Sequence, residues 1–344
     1  MNSALVEEIA NAVLYEGYVL YPYRASSVKN RQRWNFGVVY PSAYSSSQNG
    51  ADACWMRTEC VARSNSTTAL SVKVRFLQLT KRLIGQFHAA HHELPEGPLP
   101  DFRLVDRLEV DDRILYAWQE AVERDVCVNA GSLSELARQS LRQTFEIPAH
   151  LEVEQVRDSR SLVVGVILRE SRRAAGDVEI DAEPIADDLY RVGVTIRNLT
   201  PFESAQQTSR DEALLKSFVS THTILCLEGG EFMSLLEPPE ELVQVCAKCR
   251  NTGTWPVLAG EEGQRGVVLS SPVILYDYPR IAPESPGALF DGTEIDEILT
   301  LRILTMTDDE KREMREVDAR TRQILERTEA LLPEQLMKLH GEMR

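Results

Sequence analysis

The chain has few of the residues, and none of the motifs, that most enzymes and metal proteins use. Its 344 residues include six cysteines and six histidines. No segment matches a dinucleotide-binding glycine loop, a phosphate-binding loop, a serine nucleophile elbow or a zinc-protease motif. The common signatures of dehydrogenases, nucleotide hydrolases, esterases and metalloproteases are therefore absent. We predict a non-enzymatic protein, and we assign it no catalytic residue and no cofactor.

Long apolar runs are also missing. No stretch approaches the roughly 20 apolar residues that a helix needs to cross a bilayer. The first residues lack the basic region and apolar core of a signal peptide. Six scattered cysteines without a secretory signal are typical of reduced thiols. We therefore predict a cytoplasmic protein with no membrane insertion.

Positive charge is scarce but concentrated. Lysine and arginine total 38 against 53 acidic residues, so the formal net charge is −15. Residues 17–92 contain ten basic and two acidic residues, so this segment carries +8 and the rest of the chain −23. Nucleic acid would be repelled by the acidic remainder, and we predict that it is not a ligand.

The first part of this basic segment alternates cations with aromatic residues. Arginine and aromatic side chains are enriched in the energetic centres of protein interfaces. We predict a partner-binding face for another protein. Its residues are Tyr23, Arg24, Lys29, Arg31, Arg33 and Trp34. The alternative, that these cations lie against the acidic second half of the same chain, stays open.

Alternating patterns predict a fold rich in strands. In 69–79, Leu70, Val72, Val74 and Phe76 point one way while polar residues point the other, as in a half-buried strand. Short strands recur after Leu151, which favours antiparallel pairing over a parallel sheet. The predicted fold class is α+β and β-rich, with antiparallel sandwich-like modules and a helical C-terminal arm over 294–332.

The chain length predicts more than one module. Ser132 and Glu135 form a capping-box pattern that predicts a helix to about Thr144, which Pro148 would end. We expect an N-terminal β-rich module with the cationic aromatic segment (1–147) and a second antiparallel β module (148–280). A Pro-rich strap and helical C-terminal arm would complete the chain (281–344).

Two small clusters have metal-ligand residues. Cys246 and Cys249 have the spacing at which two thiolates grip one metal ion, but a zinc site needs two further ligands. His88, His91 and His92 would place His88 and His92 on one face only if the segment were helical. We favour ordinary explanations, a helix end for the thiols and a solvated loop for the histidines. The alternative function is a metal carrier or an undetected enzyme that uses these residues.

Several short segments of the sequence resemble those of one uncharacterised bacterial family, which is associated with [NiFe]-hydrogenase gene clusters. The segments are Glu16-Gly-Tyr-Val-Leu-Tyr-Pro-Tyr-Arg24, Asn30-Arg-Gln-Arg-Trp34, Gly253-Thr-Trp-Pro-Val-Leu258, Leu275-Tyr-Asp-Tyr-Pro279, Ala282-Pro-Glu-Ser-Pro-Gly287 and Leu289-Phe-Asp-Gly-Thr-Glu-Ile-Asp-Glu-Ile298. The resemblance implies an accessory role, as a scaffold or an assembly or maturation factor for a metalloenzyme. The implied partners are hydrogenase subunits or their maturation factors. It implies no catalytic residue.

Overall fold

Antiparallel strands are the main regular elements of the structure, a computed structural model. It describes residues 3–15, 36–64, 68–203, 208–280, 303–317 and 319–330. The strands are β1 (Trp55–Arg63), β2 (Ala69–His91), β3 (Phe102–Val105), β4 (Arg107–Val110), β5 (Arg113–Tyr116), β6 (Trp118–Gly131), β7 (Leu141–Ile147), β8 (His150–Arg157), β9 (Val163–Ser171), β10 (Ala174–Ala186), β11 (Leu189–Asn198), β12 (Val219–Glu228), β13 (Glu231–Phe232), β14 (Trp255–Leu258) and β15 (Val267–Ser271). The α-helices are α1 (Ser3–Leu14), α2 (Ser42–Ser47), α3 (Leu133–Leu136), α4 (Arg210–Leu214), α5 (Val243–Cys246), α6 (Asp308–Val317) and α7 (Ala319–Glu329), and Glu240–Leu242 is a short 3₁₀ helix.

The strands form two large sheets and one hairpin. The first sheet has five strands in the order β13-β1-β11-β10-β7. The second has eight, with the path β14-β15-β12-β2-β9-β8 and with β3 and β6 also paired to β2. Every one of these pairs is antiparallel, and β4 and β5 form a separate hairpin. The prediction of a β-rich, antiparallel fold is confirmed.

The long strand β2 belongs to two parts of the second sheet. Along one edge it pairs with β12 as far as Leu77 and with β9 from Thr80. Along the other edge it pairs with β6 as far as Arg82 and with β3 from Ile84. The first half of β2 therefore lies in a sheet that packs on the five-stranded sheet, and its second half extends beyond that contact.

The main core lies between the two sheets. The alternating residues of β2 pack there with the inward residues of β10 and β11, as the period of two predicts. Phe76 is fully buried, and its ring centroid lies 4.5 Å from that of Phe218 and 6.0 Å from that of Phe145. This arrangement of two inner faces around one apolar layer is that of a β-sandwich.

The opposite face of the second sheet is covered by α1. Ile9 and Val13 are buried there against Ile224 and Leu269. Both helix residues lie on one side of α1 because positions four apart share a helix face. This position brings Glu7 and Asn11 of α1 into contact with Lys73 and Arg75 of β2.

The helix predicted from Ser132 to about Thr144 is too long. Ser132 and Glu135 do form a capping box, yet α3 ends at Leu136. Residues 141–147 form β7, because Phe145 packs in the core against Phe76. A capping box reports only the first turn of a helix, and core packing decides the conformation of the residues after that turn.

The boundary predicted after residue 147 does not separate two sheets. β1 pairs with β11, and β2 pairs with β9 and β12, so 1–147 and 148–280 share both large sheets. Alternating patterns show that a segment is a strand, but they do not show which strand it pairs with.

Parts of the predicted C-terminal arm are helical. Thr307 and Glu310 form a capping box before α6, and α6 lies against α7 and β5. Met314 and Leu325 join the two helices in a small apolar cluster. Within the described ranges, every helix is too short or too polar to span a bilayer.

Phe76 tests the sandwich core. Replacing it with alanine should lower the free energy of unfolding by ~3–5 kcal/mol, because the substitution leaves a cavity among buried rings. Chemical denaturation at constant protein concentration measures this difference. The control is Tyr276→Ala at a side chain that is 85% exposed, where the change should stay within about 0.5 kcal/mol. Equal effects of the two substitutions would contradict this core.

Candidate functional site

The predicted partner-binding residues lie outside the described part of the chain. Tyr23, Arg24, Lys29, Arg31, Arg33 and Trp34 all fall between residues 16 and 35. Whether the cationic aromatic segment binds a partner protein or lies against the acidic second half of the same chain therefore stays a prediction.

The other six cations of the +8 segment are all described, and all form ion pairs within the chain. The pairs are Arg57 with Glu59 and Asp181, Arg63 with Asp188 and Glu231, Lys73 with Glu7, Arg75 with Glu7, Glu123 and Asp125, Lys81 with Glu212, and Arg82 with Glu120. Several of these carboxylates lie beyond residue 147. These six cations are paired with carboxylates of strands, helices and loops of the same chain, so they do not present a free positive surface.

The side chains of His88, His91 and His92 are not placed around one common point. His88 and His91 belong to β2, and His92 comes directly after its end. His88 and His92 are four residues apart in an extended chain, which separates them by about 13 Å. The ring of His91 packs edge-on against Phe87, with centroids 5.1 Å apart. The helical relation that a shared ion requires is absent here because the segment is a strand.

Cys246 and Cys249 lie at the end of α5, as the ordinary interpretation predicts. The amide of Cys249 donates to the carbonyl of Cys246 at 3.0 Å. Burial raises the pKa of Cys246, and burial with the nearby Cys246 and Glu59 raises the pKa of Cys249 to about 12. At neutral pH such thiols are protonated, and thiols bind metals and attack disulfides as thiolates. In the described residues, no group of three or more His, Cys, Asp or Glu side chains is arranged to hold a metal ion.

The outer edge of β8 is the most exposed strand edge of the described structure. β8 pairs with β9 on one side, and no described strand pairs with its other side. Leu151 is 57% exposed and Val153 is 42% exposed, and both point to the same face. Glu152 and Glu154 alternate with them and point to the opposite face. We call residues His150–Arg157 the β8 edge.

Several other strand edges in the described sheets are shorter or partly covered. β14 has four residues and contains Pro256, and β13 has two residues. β6 and β7 lie side by side, and Gln143 Nε2 donates to the carbonyl of Cys127 at 3.4 Å. The β8 edge has eight residues and neither lysine nor proline, the residues that commonly block edge pairing.

Negative charge exceeds positive charge around Glu152 and Glu154 of the β8 edge, whereas Arg157 at its end is a cation. Arg169 lies 3.6 Å from Glu152, 2.7 Å from Glu154 and 2.8 Å from Glu120. Arg82 also pairs with Glu120, at 3.3 Å. Two guanidinium groups thus face three carboxylates, and Glu152 and Glu154 are half exposed. A cationic group approaching this edge would be attracted.

Beneath α1, a row of polar residues crosses three strands. His222 of β12 and Asp125 of β6 both lie opposite Arg75 of β2. Arg75 is buried and forms ion pairs with the carboxylates of Glu7, Glu123 and Asp125. Such a buried cation is tolerated because it is paired and hydrogen-bonded.

His222 is held neutral in this row. Its Nδ1 lies 3.0 Å from the carbonyl of Ser220, so Nδ1–H is the donor. Its Nε2 is buried and has no hydrogen-bond partner among the described residues. Burial, with the adjacent Arg75 cation, lowers the pKa of His222 to about 4, although Asp125 and Glu7 act in the opposite direction.

No protein-family model matches the chain, and no curated protein matches it. Sequence reasoning did identify 151–156 as a strand. It did not identify an edge, because the edge depends on β8 pairing only with β9. The alternation of Leu151 and Val153 with two glutamates, on a strand without lysine or proline, was the available signal.

His222 should make stability depend on pH. Its folded pKa is about 4 and its unfolded pKa about 6.5, so only the unfolded chain gains this proton between these values. The free energy of unfolding should therefore fall as pH falls from about 6.5 to 4, by up to ~3 kcal/mol from this group. Urea unfolding of wild type and His222→Gln across this range measures the contribution. The free energy of unfolding of wild type minus that of His222→Gln should decrease as pH falls towards 4. If this difference stays constant with pH, His222 is not held neutral in the folded protein.

Proposed function

We propose that this chain is a non-enzymatic accessory protein, a scaffold or an assembly or maturation factor for a metalloenzyme such as a [NiFe]-hydrogenase. The observation that carries the proposal is the β8 edge, an eight-residue strand with a free outer side and exposed apolar residues. The resemblance of the segments around Tyr21 and Tyr276 to a hydrogenase-associated family supports the choice of metalloenzyme.

The occupant that fits the β8 edge is an extended segment of the partner protein. Main-chain hydrogen bonds to a sheet edge supply affinity, and alternate side chains supply specificity. Apolar residues of the added strand would cover Leu151 and Val153. Basic residues at the alternate positions would face Glu152 and Glu154, which have one nearby guanidinium, that of Arg169.

A second copy of this chain fits the same edge poorly. Two β8 strands paired antiparallel would bring Glu152 and Glu154 of both copies to one face. Like charges opposite each other on neighbouring strands destabilise the pair. The charge of the edge therefore favours a different protein with basic residues over self-association.

The cationic aromatic segment supplies a second proposed contact, with an acidic patch of the partner. Arginine and aromatic residues offer bidentate hydrogen bonds and rigid contact area. The other cations of the +8 segment already have carboxylate partners, so Arg24, Lys29, Arg31 and Arg33 are the residues of that segment proposed for binding.

Lysines placed on the β8 edge test the first contact. Leu151→Lys/Val153→Lys should weaken binding to purified [NiFe]-hydrogenase subunits at least tenfold, because lysine repels basic residues and blocks edge pairing. The matched control is Leu236→Lys/Val243→Lys, at side chains that are 51% and 42% exposed elsewhere. Calorimetry or interferometry with the large and the small subunit gives the dissociation constants. If both variants bind like wild type, or wild type binds neither subunit, the proposal is wrong.

Charge reversal tests the second contact. Arg31→Glu/Arg33→Glu should slow association with the same subunits at low salt, and the loss should shrink as salt rises, since screening acts over about 10 Å at 0.1 M. The proposal requires these two arginines to be exposed, and exposed charges contribute little to folding, so the melting temperature should change little. A large drop in melting temperature would instead identify these arginines as structural ion pairs.

A further inference from the structure

A cavity of about 370 Å³ lies between α1 and the outer face of the second sheet. Its polar lining comes from Ser71 and Lys73 of β2, Cys127 and Asn129 of β6, and Cys226 of β12, with Glu7 of α1 above them. The volume is within the range of sites for small molecules. None of these side chains belongs to the β8 edge.

Strand register explains why these side chains meet. Cys127 and Ile224 both lie opposite Lys73, and Asn129 and Cys226 both lie opposite Ser71. Directly opposed residues of antiparallel strands point to the same face, and positions 71 and 73 also share a face. The lining is therefore two adjacent rows across three strands, next to the row of His222, Arg75 and Asp125.

The polar groups of the cavity differ in what they can bind. The Lys73 ammonium only donates hydrogen bonds, the carboxylate of Glu7 only accepts them, and the Ser71 hydroxyl and the Asn129 side chain can do both. The hydrogen bond from Lys73 to Glu7, more than any other contact, raises the pKa of Lys73, so this cation keeps its charge at neutral pH. Lys73 is the cation of this lining, and an acidic group of a ligand would complement it.

The carboxylate of Glu7 binds the Lys73 ammonium, at the position where the carboxylate of a ligand would bind. One carboxylate oxygen of Glu7 binds Lys73 Nζ, and the other lies 3.3 Å from Arg75 Nη1. Arg75 has further carboxylates in Glu123 and Asp125. A ligand carboxylate can therefore replace Glu7 on Lys73 while Glu7 stays paired with Arg75. An amine ligand would have to compete with Lys73 and Arg75, which already bind the two oxygens of Glu7.

The rest of the cavity wall is apolar. Val6, Ile224 and Val267 line it beside the polar rows. These side chains suit a short hydrocarbon part of a ligand. We propose that this cavity binds a small organic acid with a short apolar body, with its carboxylate on Lys73.

A disulfide does not close this cavity. Cys127 and Cys226 lie on opposite sides of β2, so two inter-strand spacings of about 4.8 Å separate their strands. That distance of about 10 Å exceeds the ~7 Å between Cα atoms that a disulfide spans. Both thiols are free. Cys127 is exposed at the mouth of the cavity, where it can report on what enters.

Disulfide exchange at Cys127 tests the proposal on the full-length protein. The probes are 3,3′-dithiodipropionic acid, which brings a carboxylate, and cystamine, which brings an ammonium on a chain of similar length. The Cys127 thiolate attacks one sulfur of the probe, the probe S–S bond breaks, and the departing half leaves as a thiolate that takes up a proton. Peptide mass mapping gives the extent of labelling at Cys127 and, as an internal reference, at Cys54.

The acid probe should label Cys127 at least tenfold more than the amine probe, after each is normalised to Cys54. Lys73→Gln should abolish this preference, and Glu7→Gln should increase it, because Lys73 then loses its competing carboxylate. A folding defect would not move the two variants in opposite directions. The control is Lys81→Gln on the same strand, about 26 Å away, which should leave the preference unchanged. Equal labelling by both probes, or a preference for the amine, would overturn the proposal.

Discussion

The pairing of β2 along both of its edges is the constraint on which the other features depend. Its register with β6 and β12 builds the sandwich face and places Phe76 in the core. The same register aligns His222 and Asp125 with Arg75, and the lining of the cavity with Lys73. Its second half pairs with β9, which in turn leaves β8 at the edge. A shift by one residue would turn each of these side chains to the opposite face.

The interior cations of the described chain are paired with carboxylates. Arg75 is 5% exposed and is surrounded by three carboxylates, while Arg169 serves two glutamates of the β8 edge and Glu120. Because a buried charge is costly unless it is paired, the chain supplies carboxylates in excess around its interior cations. The excess leaves negative charge at the β8 edge. In the cavity, where Lys73 pairs with Glu7, which also serves Arg75, the same sharing leaves a cation that an external acid can bind.

Local patterns predicted the strands well, and non-local pairing limited the rest. The alternation in residues 69–79 correctly indicated β2, because an apolar face must be buried wherever the strand pairs. The helix predicted after Ser132 was too long, since the capping box acts within one turn and Phe145 then joins the core. Neither the β8 edge nor the Lys73 cavity could be predicted, because each depends on which strands are neighbours. The histidine and cysteine clusters were found by spacing along the chain, and that spacing did not bring a set of ligands together in space.

The sharing of sheets between distant parts of the chain has a consequence during synthesis on the ribosome. β2 leaves the ribosome well before β12, whose first residue is Val219, and at 5–20 residues per second the interval is on the order of ten seconds. During that time one edge and one apolar face of a 23-residue strand lack their final partners. Such strands are prone to wrong pairing, and folds dominated by long-range contacts form slowly. The nascent chain would thus present a binding site for ribosome-associated chaperones before its own binding surfaces exist.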